Sequence, residues 1–448
     1  MNNIISDISS IDPEQNHKDF STLFNLHKCE LERFYSDYEN KNKIINLFEY
    51  WVFNIFCIEK AYGKNGLEIF CNSKLSNPLR FSYQYEFSDD VHGAEIRTSK
   101  QSKLRFALVS LFLRKVYIPG SILISLKDKV LNKISFFFIH SIPLRENKLI
   151  KSSLFDLLER LLSQSFNDNE IESIKKKLPM FFYSRKVNFF SNNIIEVEGS
   201  AASFMEYSGY EKLFLLDTKL NVTGHQHGGG YDIFKIDFFA YYEKKLCENF
   251  YGWGFSKKNK AQKKYGLVKH KATSEKRILW IEDSIIPTLD ALFLSHHYYQ
   301  SINKNIKNYI YTELKKINVR YSNLPHPVMS PLYEKFRRDD FGISDIEKIS
   351  DNLINKNDIL IFDCTGASLV HLAIENDIIF FFVISRQDYD NFTEKQKEHF
   401  LLLKKYNLGF FDYEENKFSQ ALLKYYNSAI VELPDEIFEY NKRIFKQD

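Results

Sequence analysis

Residues 358–384 read DILIFDCTGASLVHLAIENDIIFFFVI, and this stretch decides the fold of the C-terminal half. Two runs in it, 359–362 and 378–384, are apolar without alternation, and a helical pattern separates them at Ser368 to Glu375. Strands that are apolar on both faces lie in parallel sheets covered by helices. The stretch therefore predicts a strand–helix–strand unit of an α/β domain.

The same alternation continues on both sides of this unit. Short β-branched or aromatic runs begin at Arg277 and at Asn318 with an amphipathic segment between them, a helix-start signal stands at Thr393, and residues 434–446 have a helical pattern. Strands that alternate with helices are typical of βαβ units. We therefore predict a C-terminal Rossmann-like domain over residues 277–448.

The N-terminal half has a weaker pattern. Residues 20–62 are mostly helical in pattern, whereas residues 186–190, 194–197 and 213–216 are short apolar or β-branched runs typical of strands. We predict that residues 1–255 form a second α/β domain, also Rossmann-like, with a divergent helical N-terminus.

Residues 256–276 separate the two predicted domains. They contain eight lysines and one glutamate, whereas the whole chain is nearly balanced, with 61 Lys and Arg against 58 Asp and Glu. A block of like charges is usually a solvated linker, and we place the domain boundary here. The alternative is a basic patch that faces anionic lipid, a lipid-linked glycan or nucleotide phosphate.

Composition excludes several classes of protein. The 448 residues are 44% hydrophobic with a formal net charge of +3, which argues against disorder and against nucleic acid as the default partner. The five cysteines include no Cys-x-x-Cys pair, which disfavours a disulfide framework or a zinc knuckle. We see no leader pattern and no apolar run of about 20 residues. We expect a cytoplasmic protein.

Residues 224–232 read GHQHGGGYD and form the densest polar constellation in the chain. Three consecutive glycines predict a backbone with positive φ or one that a ligand approaches closely. Bare peptide N–H groups in such a loop suit anionic groups, although a tight turn would also explain the glycines. His225 and His227 would share a face on a strand, and a metal pair is conceivable, but no third ligand stands at a recognisable spacing.

Several carboxylates follow this loop, at Asp232, Asp237, Glu243 and Glu248. A carboxylate beside an imidazole is the equipment for general-base or nucleophilic catalysis, whereas Glu243 and Glu248 would equally fit as helix-surface charges. We take His227, Asp232 and Glu243 as the candidate catalytic residues. Trp253 lies in an aromatic run that can stack on a sugar or pack in a core.

In the C-terminal half, polar residues stand at two predicted strand ends. An arginine and a His-Pro pair follow the run at Asn318, and Asp363 to Ser368 ends one strand and opens a helix. Ligands of open α/β sheets bind at the carboxyl ends of strands, and helix N-termini bind phosphate. Ordinary N-capping and a turn histidine are the alternatives. The candidate donor-binding residues are Arg320, His326, Pro327, Thr365, Gly366 and Ser368.

Several catalytic motifs are missing from the sequence. It contains no Gly-x-x-x-x-Gly-Lys-Ser/Thr loop, no Gly-x-Gly-x-x-Gly after a strand, no His-Glu-x-x-His and no Gly-x-Ser-x-Gly. Kinase-like, dinucleotide-dependent, zincin and hydrolase classes are therefore disfavoured.

With these positions the chain resembles the transferase family first described from leptospiral O-antigen clusters. Members of that family carry a Gln-His-Gly-Gly-Gly-Tyr-Gly loop, an acidic pair five residues apart and a Trp-Gly motif. The residues that match are Gln226, His227, Gly228, Gly229, Gly230 and Tyr231 of the loop, Glu243 with Glu248, and Trp253 with Gly254. The family is similar in layout to GT-B bacterial glycosyltransferases such as the β-Kdo and sialic-acid transferases, whose His-Pro motif resembles His326-Pro327.

The resemblance implies two Rossmann-like domains that face each other across a cleft. The C-terminal domain would hold a nucleotide sugar, with a CMP-linked ulosonic acid as the first guess, and the N-terminal domain would present the acceptor. The acceptor would be a surface polysaccharide or a lipid-linked glycan, which implies peripheral contact with the inner membrane. No metal and no cofactor beyond the nucleotide sugar is expected.

Two residues depart from the family pattern. Asp232 stands where the family has glycine, and His371 stands where a glutamate would meet the donor ribose. These departures keep a second hypothesis open, in which the site has decayed and the protein is a glycan-binding scaffold. A third hypothesis is a CDP-alditol phosphotransferase, which shares the two-domain layout and a histidine-based phosphate site.

Overall fold

The structure, a computed structural model, forms two compact units, and each unit is described by itself. The described residues are 13–72, 115–118, 135, 138–188, 194–205, 209–226, 231–235, 237–252, 276–282, 296–325, 354–363, 368–428 and 433–444. The chain is an α/β protein with parallel strands in both units, as the sequence predicts. No helix within these ranges combines the length and the apolarity that a membrane span needs.

In the described part of the first unit, two long helices precede the first strand, and two more lie between the first and second strands. Its helices are α1 (Pro13–Phe34), α2 (Lys41–Asn72), α3 (Lys148–Leu162), α4 (Asp168–Lys177), α5 (Ala202–Met205) and α6 (Phe238–Lys245). Asn147 begins α3, because its side chain accepts hydrogen bonds from two backbone N–H groups of the first turn. Asn167 and Glu170 form a capping box at the start of α4. The apolar faces of α1 to α3 bury the leucines and aromatics of this unit's core.

The sheet of the first unit has four strands in the order β1-β2-β3-β4. The strands are β1 (Lys115–Tyr117), β2 (Ile195–Gly199), β3 (Leu220–His225) and β4 (Asn249–Tyr251). β1, β2 and β3 pair in parallel. Ile195 and Val197 of β2 face the core, whereas Glu196 and Glu198 face the other way. This alternation distinguishes the first sheet from the second, whose strands are buried on both faces.

One predicted strand of the first unit is a helix instead. Residues 213–215 lie in a 3₁₀ turn, Tyr210–Leu215, that starts after Gly209 at φ 111° and buries its apolar side chains, whereas Leu216 is extended and forms an isolated bridge with Val187. A short apolar run fits a buried helical turn as well as a buried strand, and here the left-handed glycine selects the turn. Of the run predicted at 186–190, Val187 makes one isolated bridge, and residues 189–193 lie outside the described residues.

The second unit contains a five-stranded, all-parallel sheet in the order β6-β5-β7-β8-β9. The strands are β5 (Ile278–Glu282), β6 (Tyr321–Pro325), β7 (Ile359–Phe362), β8 (Phe380–Ile384) and β9 (Gly409–Phe411). β5, β7 and β8 are buried along their whole length. The predicted strand–helix–strand unit is thus confirmed, with β8 starting two residues later than the apolar run.

Helices alternate with these strands along the chain. They are α7 (His296–Ile317), α8 (Ser368–Glu375), α9 (Arg386–Asn391), α10 (Glu394–Lys405), α11 (Lys417–Asn427) and α12 (Asp435–Ile444). Thr393 caps α10 as predicted, accepting from the backbone N–H of Gln396. The sequence also has a capping-box pattern at Ser344 to Glu347, which predicts a helix start there, and these residues lie outside the described part of the chain.

Residues 231–235, which precede β4 in the chain, group with the second unit. Phe234 forms an antiparallel bridge with Phe392, and the backbone N–H of Thr393 donates to the carbonyl of Ile233 at 2.8 Å. The sequence assigns these residues to the domain of residues 1–255. Along the chain, the three glycines of the loop thus come after a strand of the first unit and before a segment that groups with the second.

Candidate functional site

The order of the strands in the second sheet reverses at β5. β6 lies on one side of β5, and β7, the next strand described along the chain, lies on the other side. In open α/β sheets, ligands bind outside the carboxyl ends of the strands at such a reversal. The candidate site is therefore the carboxyl edge of β5 and β7, where β5 ends at Glu282 and Asp363 directly follows β7.

A buried cluster of polar side chains occupies this edge. Lys307 of α7 forms an ion pair with Asp363 Oδ2, and its Nζ lies 3.8 Å from Glu282 Oε2. Trp280 Nε1 donates to the same Asp363 oxygen at 3.2 Å, and Asn323 Nδ2 donates to Glu282 Oε1 at 2.7 Å. All five residues are at most 4% exposed. Three strands and one helix are tied together by charged and polar groups.

Such a buried cluster contributes little net stability to a sheet. Transferring each ion out of water costs several kcal/mol of desolvation free energy, and the attraction between the ions offsets this cost only when their geometry is good. The geometry here is uneven, because Lys307 lies close to Asp363 and farther from Glu282. In addition, Asn323 Oδ1 is buried and accepts no hydrogen bond within the described part of the structure. Buried charge at a ligand-binding edge favours a functional interpretation over a purely structural one.

The structure corrects the position of one predicted donor-binding residue. The strand expected to end near Arg320 begins after it, at Tyr321, so Arg320 stands at the amino end of β6 and is exposed. At a rise of about 3.3 Å per residue, it lies roughly 16 Å from the carboxyl edge. The run at 318–321 misled the prediction because only Tyr321 belongs to the strand, whereas residues 318–320 connect α7 to it. Arg320 therefore does not belong to this edge.

The other predicted donor-binding residues follow the strands of this edge. His326 and Pro327 come directly after β6, and Thr365 and Gly366 come between Asp363 and α8; all four lie outside the described residues. Ser368 and His371 belong to α8, and their side chains lie outside the described part as well.

A second polar group stands at the carboxyl edge of the first sheet. His225 is the last residue of β3, and its Nε2 lies 3.3 Å from Glu198 Oε1 on β2. Lys115 of β1 places its Nζ 2.5 Å from the other oxygen, Glu198 Oε2. Burial opposes the charge on Lys115, but the bond to Glu198 raises the pKa of this lysine. A carboxylate only accepts hydrogen bonds, so the contact is a hydrogen bond in the forms of His225 that carry a hydrogen on Nε2.

The glycine loop is only partly described. Gln226 and Tyr231, at its two ends, are buried. His227, Gly228, Gly229 and Gly230 lie outside the described residues, as does Trp253. Asp232 has φ 57°, and its carbonyl accepts a hydrogen bond from Thr393 Oγ1 at 3.1 Å. Glycine adopts this left-handed conformation freely, and aspartate tolerates it better than most other residues.

The two glutamates of the acidic pair both bind backbone N–H groups. Glu243 is completely buried, and its Oε1 accepts from the N–H of Ala202, the first residue of α5, at 3.0 Å. Glu248 accepts from the N–H of Val222 in β3 at 2.6 Å and pairs with Lys43 of α2. Both carboxylates therefore hold the segments around β2 and β3, which is a positioning role.

Sequence reasoning placed Asp363 at a strand end but missed Glu282, Lys307 and Glu198. Glu282 and Asp363 each end an apolar run, and this position at a strand end was a usable signal. Lys307 precedes Ile310 by three residues and Leu314 by seven, so a charge on the apolar stripe of α7 was a second signal. Glu198 had no comparable signal, because its pairing with His225 depends on the register of two strands.

No family model, no curated protein and no solved structure matches this chain. Within the described ranges, no group of three or more His, Cys, Asp or Glu side chains is placed to hold a metal ion. The functional interpretation therefore depends on the two strand edges themselves.

Proposed function

We propose that this protein is a nucleotide-sugar-dependent glycosyltransferase with a GT-B layout, whose donor nucleotide binds at the carboxyl edge of β5 and β7. The observation that carries the proposal is the reversal of strand order at β5, with Glu282 and Asp363 at the reversal. Nucleotides bind open parallel sheets at this point in unrelated enzymes. The family resemblance of the sequence supports the same class of ligand.

The buried cluster supports the proposal by fixing the strand ends. Lys307 and Trp280 both hold the carboxylate of Asp363, which precedes the hydroxyl-bearing residues Thr365 and Ser368 by two and five residues. Hydroxyls and N–H groups near a helix N-terminus suit a phosphate, whose charge grows as the sugar bond breaks. If Asp363 is held rigidly, the residues that follow it would lose less conformational entropy when a phosphate binds to them.

The proposed donor is a CMP-linked ulosonic acid, and the proposed acceptor is a surface polysaccharide or a lipid-linked glycan precursor. Such an acceptor would bring the protein to the inner face of the cytoplasmic membrane, where the basic segment 256–276 would favour anionic lipid. No metal requirement is proposed, and nucleic acid is not among the proposed partners.

Isothermal titration calorimetry of the full chain against CMP, UDP and GDP tests the proposal. We expect one of the three to bind, and Asp363→Asn to weaken it about tenfold or more. Asp358→Asn, the same change at the amino end of β7, is the matched control and is expected to leave affinity unchanged. Folded protein that binds none of the three nucleotides would contradict the proposal.

Product analysis then separates the proposed reaction from its two alternatives. A glycosidic bond in the product supports glycosyl transfer, whereas a phosphodiester formed from a CDP-alditol supports the phosphotransferase. Glycan binding without nucleotide turnover supports the scaffold.

A further inference from the structure

We propose that Tyr413 and Asp412, which follow β9, bind the nucleobase of the donor and select a base that carries an amino group, as cytosine does. This inference rests on the proposed function and names the base subsite of the same ligand. β9 ends at Phe411, so both residues stand at the carboxyl edge of the second sheet, as Asp363 does. β7 and β9 are two strands apart, about 10 Å at the usual strand spacing, which an extended nucleotide spans.

Tyr413 presents an open aromatic face at this edge. Its ring stacks on that of Phe411, with the centroids 5.4 Å apart and an angle of 4° between the planes. The residue is nevertheless 59% exposed. Because Phe411 covers one face of the ring, the other face is open to solvent. Every nucleobase has a flat face that can stack on such a ring.

The ring beneath Tyr413 is firmly held. Phe411 is buried and packs against Tyr389 of α9 and Phe400 of α10, with ring centroids 5.7 Å and 5.2 Å away. The backbone N–H of Phe411 donates to Glu414 Oε2 at 2.9 Å, which closes the turn that contains Tyr413. An aromatic platform that is fixed before the ligand arrives loses little entropy when a base stacks on it.

Asp412 adds a half-buried carboxylate to the same turn. Within the described part of the chain, no lysine or arginine pairs with it. Burial raises the pKa of Asp412, and a hydrogen bond from its own backbone N–H opposes this only in part. The nearby carboxylate of Asp388 differs, because Ser385 Oγ donates to it at 2.8 Å. A ligand group that donates a hydrogen bond to Asp412 would therefore stabilise an acceptor that burial has partly removed from water.

Together the two residues match the chemistry of cytosine. Its exocyclic amino group donates hydrogen bonds, and aspartate is a usual partner of this group in proteins. Uracil carries a carbonyl oxygen at the same position, and two acceptors that face each other repel. The ring of Tyr413 stacks on either base. We therefore expect Tyr413 to set the affinity for the base and Asp412 to set the choice between bases.

Isothermal titration calorimetry of the full chain with CMP and UMP tests the inference, because the two nucleotides differ only on this edge of the pyrimidine. We expect wild type to bind CMP about tenfold or more tighter than UMP. Tyr413→Ala should weaken CMP about tenfold, whereas Tyr413→Phe, which keeps the ring, should stay within about threefold of wild type. Asp412→Asn should reduce the preference for CMP, since its amide can donate to the carbonyl of uracil.

Two matched controls separate the subsite from general effects of substitution. Tyr406→Ala removes a tyrosine that precedes the amino end of β9, and Asp390→Asn neutralises an exposed carboxylate of α9. Both variants are expected to bind CMP as wild type does. Because Tyr413 is largely exposed, Tyr413→Ala should also keep the wild-type midpoint of thermal unfolding.

The outcomes separate this inference from the proposed function. Wild-type protein that binds CMP and UMP equally, or that binds UDP or GDP and not CMP, would overturn the inference and leave the proposed function standing. A Tyr413→Ala variant with wild-type affinity, or a Tyr406→Ala variant with an equal loss, would do the same. Wild-type protein that binds none of CMP, UDP and GDP would contradict the proposed function itself.

Discussion

The two ends of β7 are fastened in different ways. At the amino end, Asp358 is completely buried and accepts both bonds of the Arg277 guanidinium, from Nε at 2.9 Å and from Nη2 at 2.7 Å. The backbone N–H of Asn355 donates to the same carboxylate at 2.6 Å. At the carboxyl end, Asp363 shares one lysine with a second carboxylate, Glu282.

The difference between the ends shows which one is built for stability alone. A guanidinium matches a carboxylate bidentately, and Arg277 remains 31% exposed, so its loss of hydration is modest. Lys307 is 1% exposed and interacts with two carboxylates at unequal distances. Neither contact is as favourable in geometry as the bidentate pair of Arg277 and Asp358. If the sheet needed only stability, a bidentate arginine–carboxylate pair would be expected at both ends of β7. The carboxyl end instead has a less favourable arrangement, at the edge where open α/β sheets bind their ligands.

The largest effect is expected from Lys307→Met, which keeps the length of the side chain and removes its charge. Two buried carboxylates would lose their cation, and breaking a buried pair from one side costs about 3–5 kcal/mol. Urea denaturation measures the free energy of unfolding, and calorimetry with the nucleotide that binds measures affinity. We expect both to fall, and unchanged affinity would remove the functional difference between the two ends.

The titration of His399 provides a test of stability at a position away from both ends of β7. His399 of α10 packs against Phe380 of β8 and stacks on Tyr440, and burial lowers its pKa from 6.5 to about 4. The unfolded chain therefore binds this proton more tightly. The contribution of neutral His399 to the free energy of unfolding is therefore fully present above pH 6.5. It is lost as the pH drops toward 4, by about 3 kcal/mol at most.

His399→Phe should remove this pH-dependent loss, as measured by urea denaturation at a series of pH values. Its nucleotide affinity at neutral pH should equal that of wild type, since His399 lies at neither strand end. A variant whose unfolding free energy keeps the wild-type slope between pH 6.5 and 4 would show that another group titrates.

Arg277→Met is expected to have a smaller effect than Lys307→Met. Asp358 would keep the backbone bond from Asn355, and the loss of the charged bonds costs about 1.5–3 kcal/mol. Nucleotide affinity should stay at the wild-type value, as seen by calorimetry. If this variant weakened the nucleotide as much as Lys307→Met does, the two ends would be equivalent.

The smallest effect is expected at the surface of α7. Lys316 is 40% exposed and pairs with Glu313 three residues earlier, while Glu313 also accepts from Ser419 Oγ at 2.7 Å. Exposed pairs contribute about 0–1 kcal/mol, so Lys316→Ala should shift the urea midpoint only slightly. A loss as large as that of Arg277→Met would show that exposure is a poor guide to these charges.

Much of the second sheet could be predicted from the sequence, because its information is local. The apolar runs at 359–362 and 378–384 each became a strand, since continuous burial on both faces is written into consecutive residues. The first sheet was harder to predict, because its strands are short and one face is polar. Most of the run at 213–216 lies in a 3₁₀ turn, because four apolar residues do not distinguish a strand from a helical turn.

The candidate sites could be predicted only in part. The glycine loop and the strand ends were visible as sequence patterns, and Arg320 was misplaced because the strand boundary was wrong by a few residues. The pairs that define the two edges join distant positions: Lys307 and Asp363 are 56 positions apart in the sequence, and Glu198 and His225 are 27 apart. Such pairs depend on sheet order and register, which no local pattern specifies.

A crystal of the full chain soaked with CMP tests the central claim most directly. We predict phosphate density outside the carboxyl ends of β5 and β7, next to the segment that follows Asp363, with the Lys307 ion pair intact. Density at the amino ends of these strands, beside Arg277 and Asp358, or on the first unit alone, would contradict it.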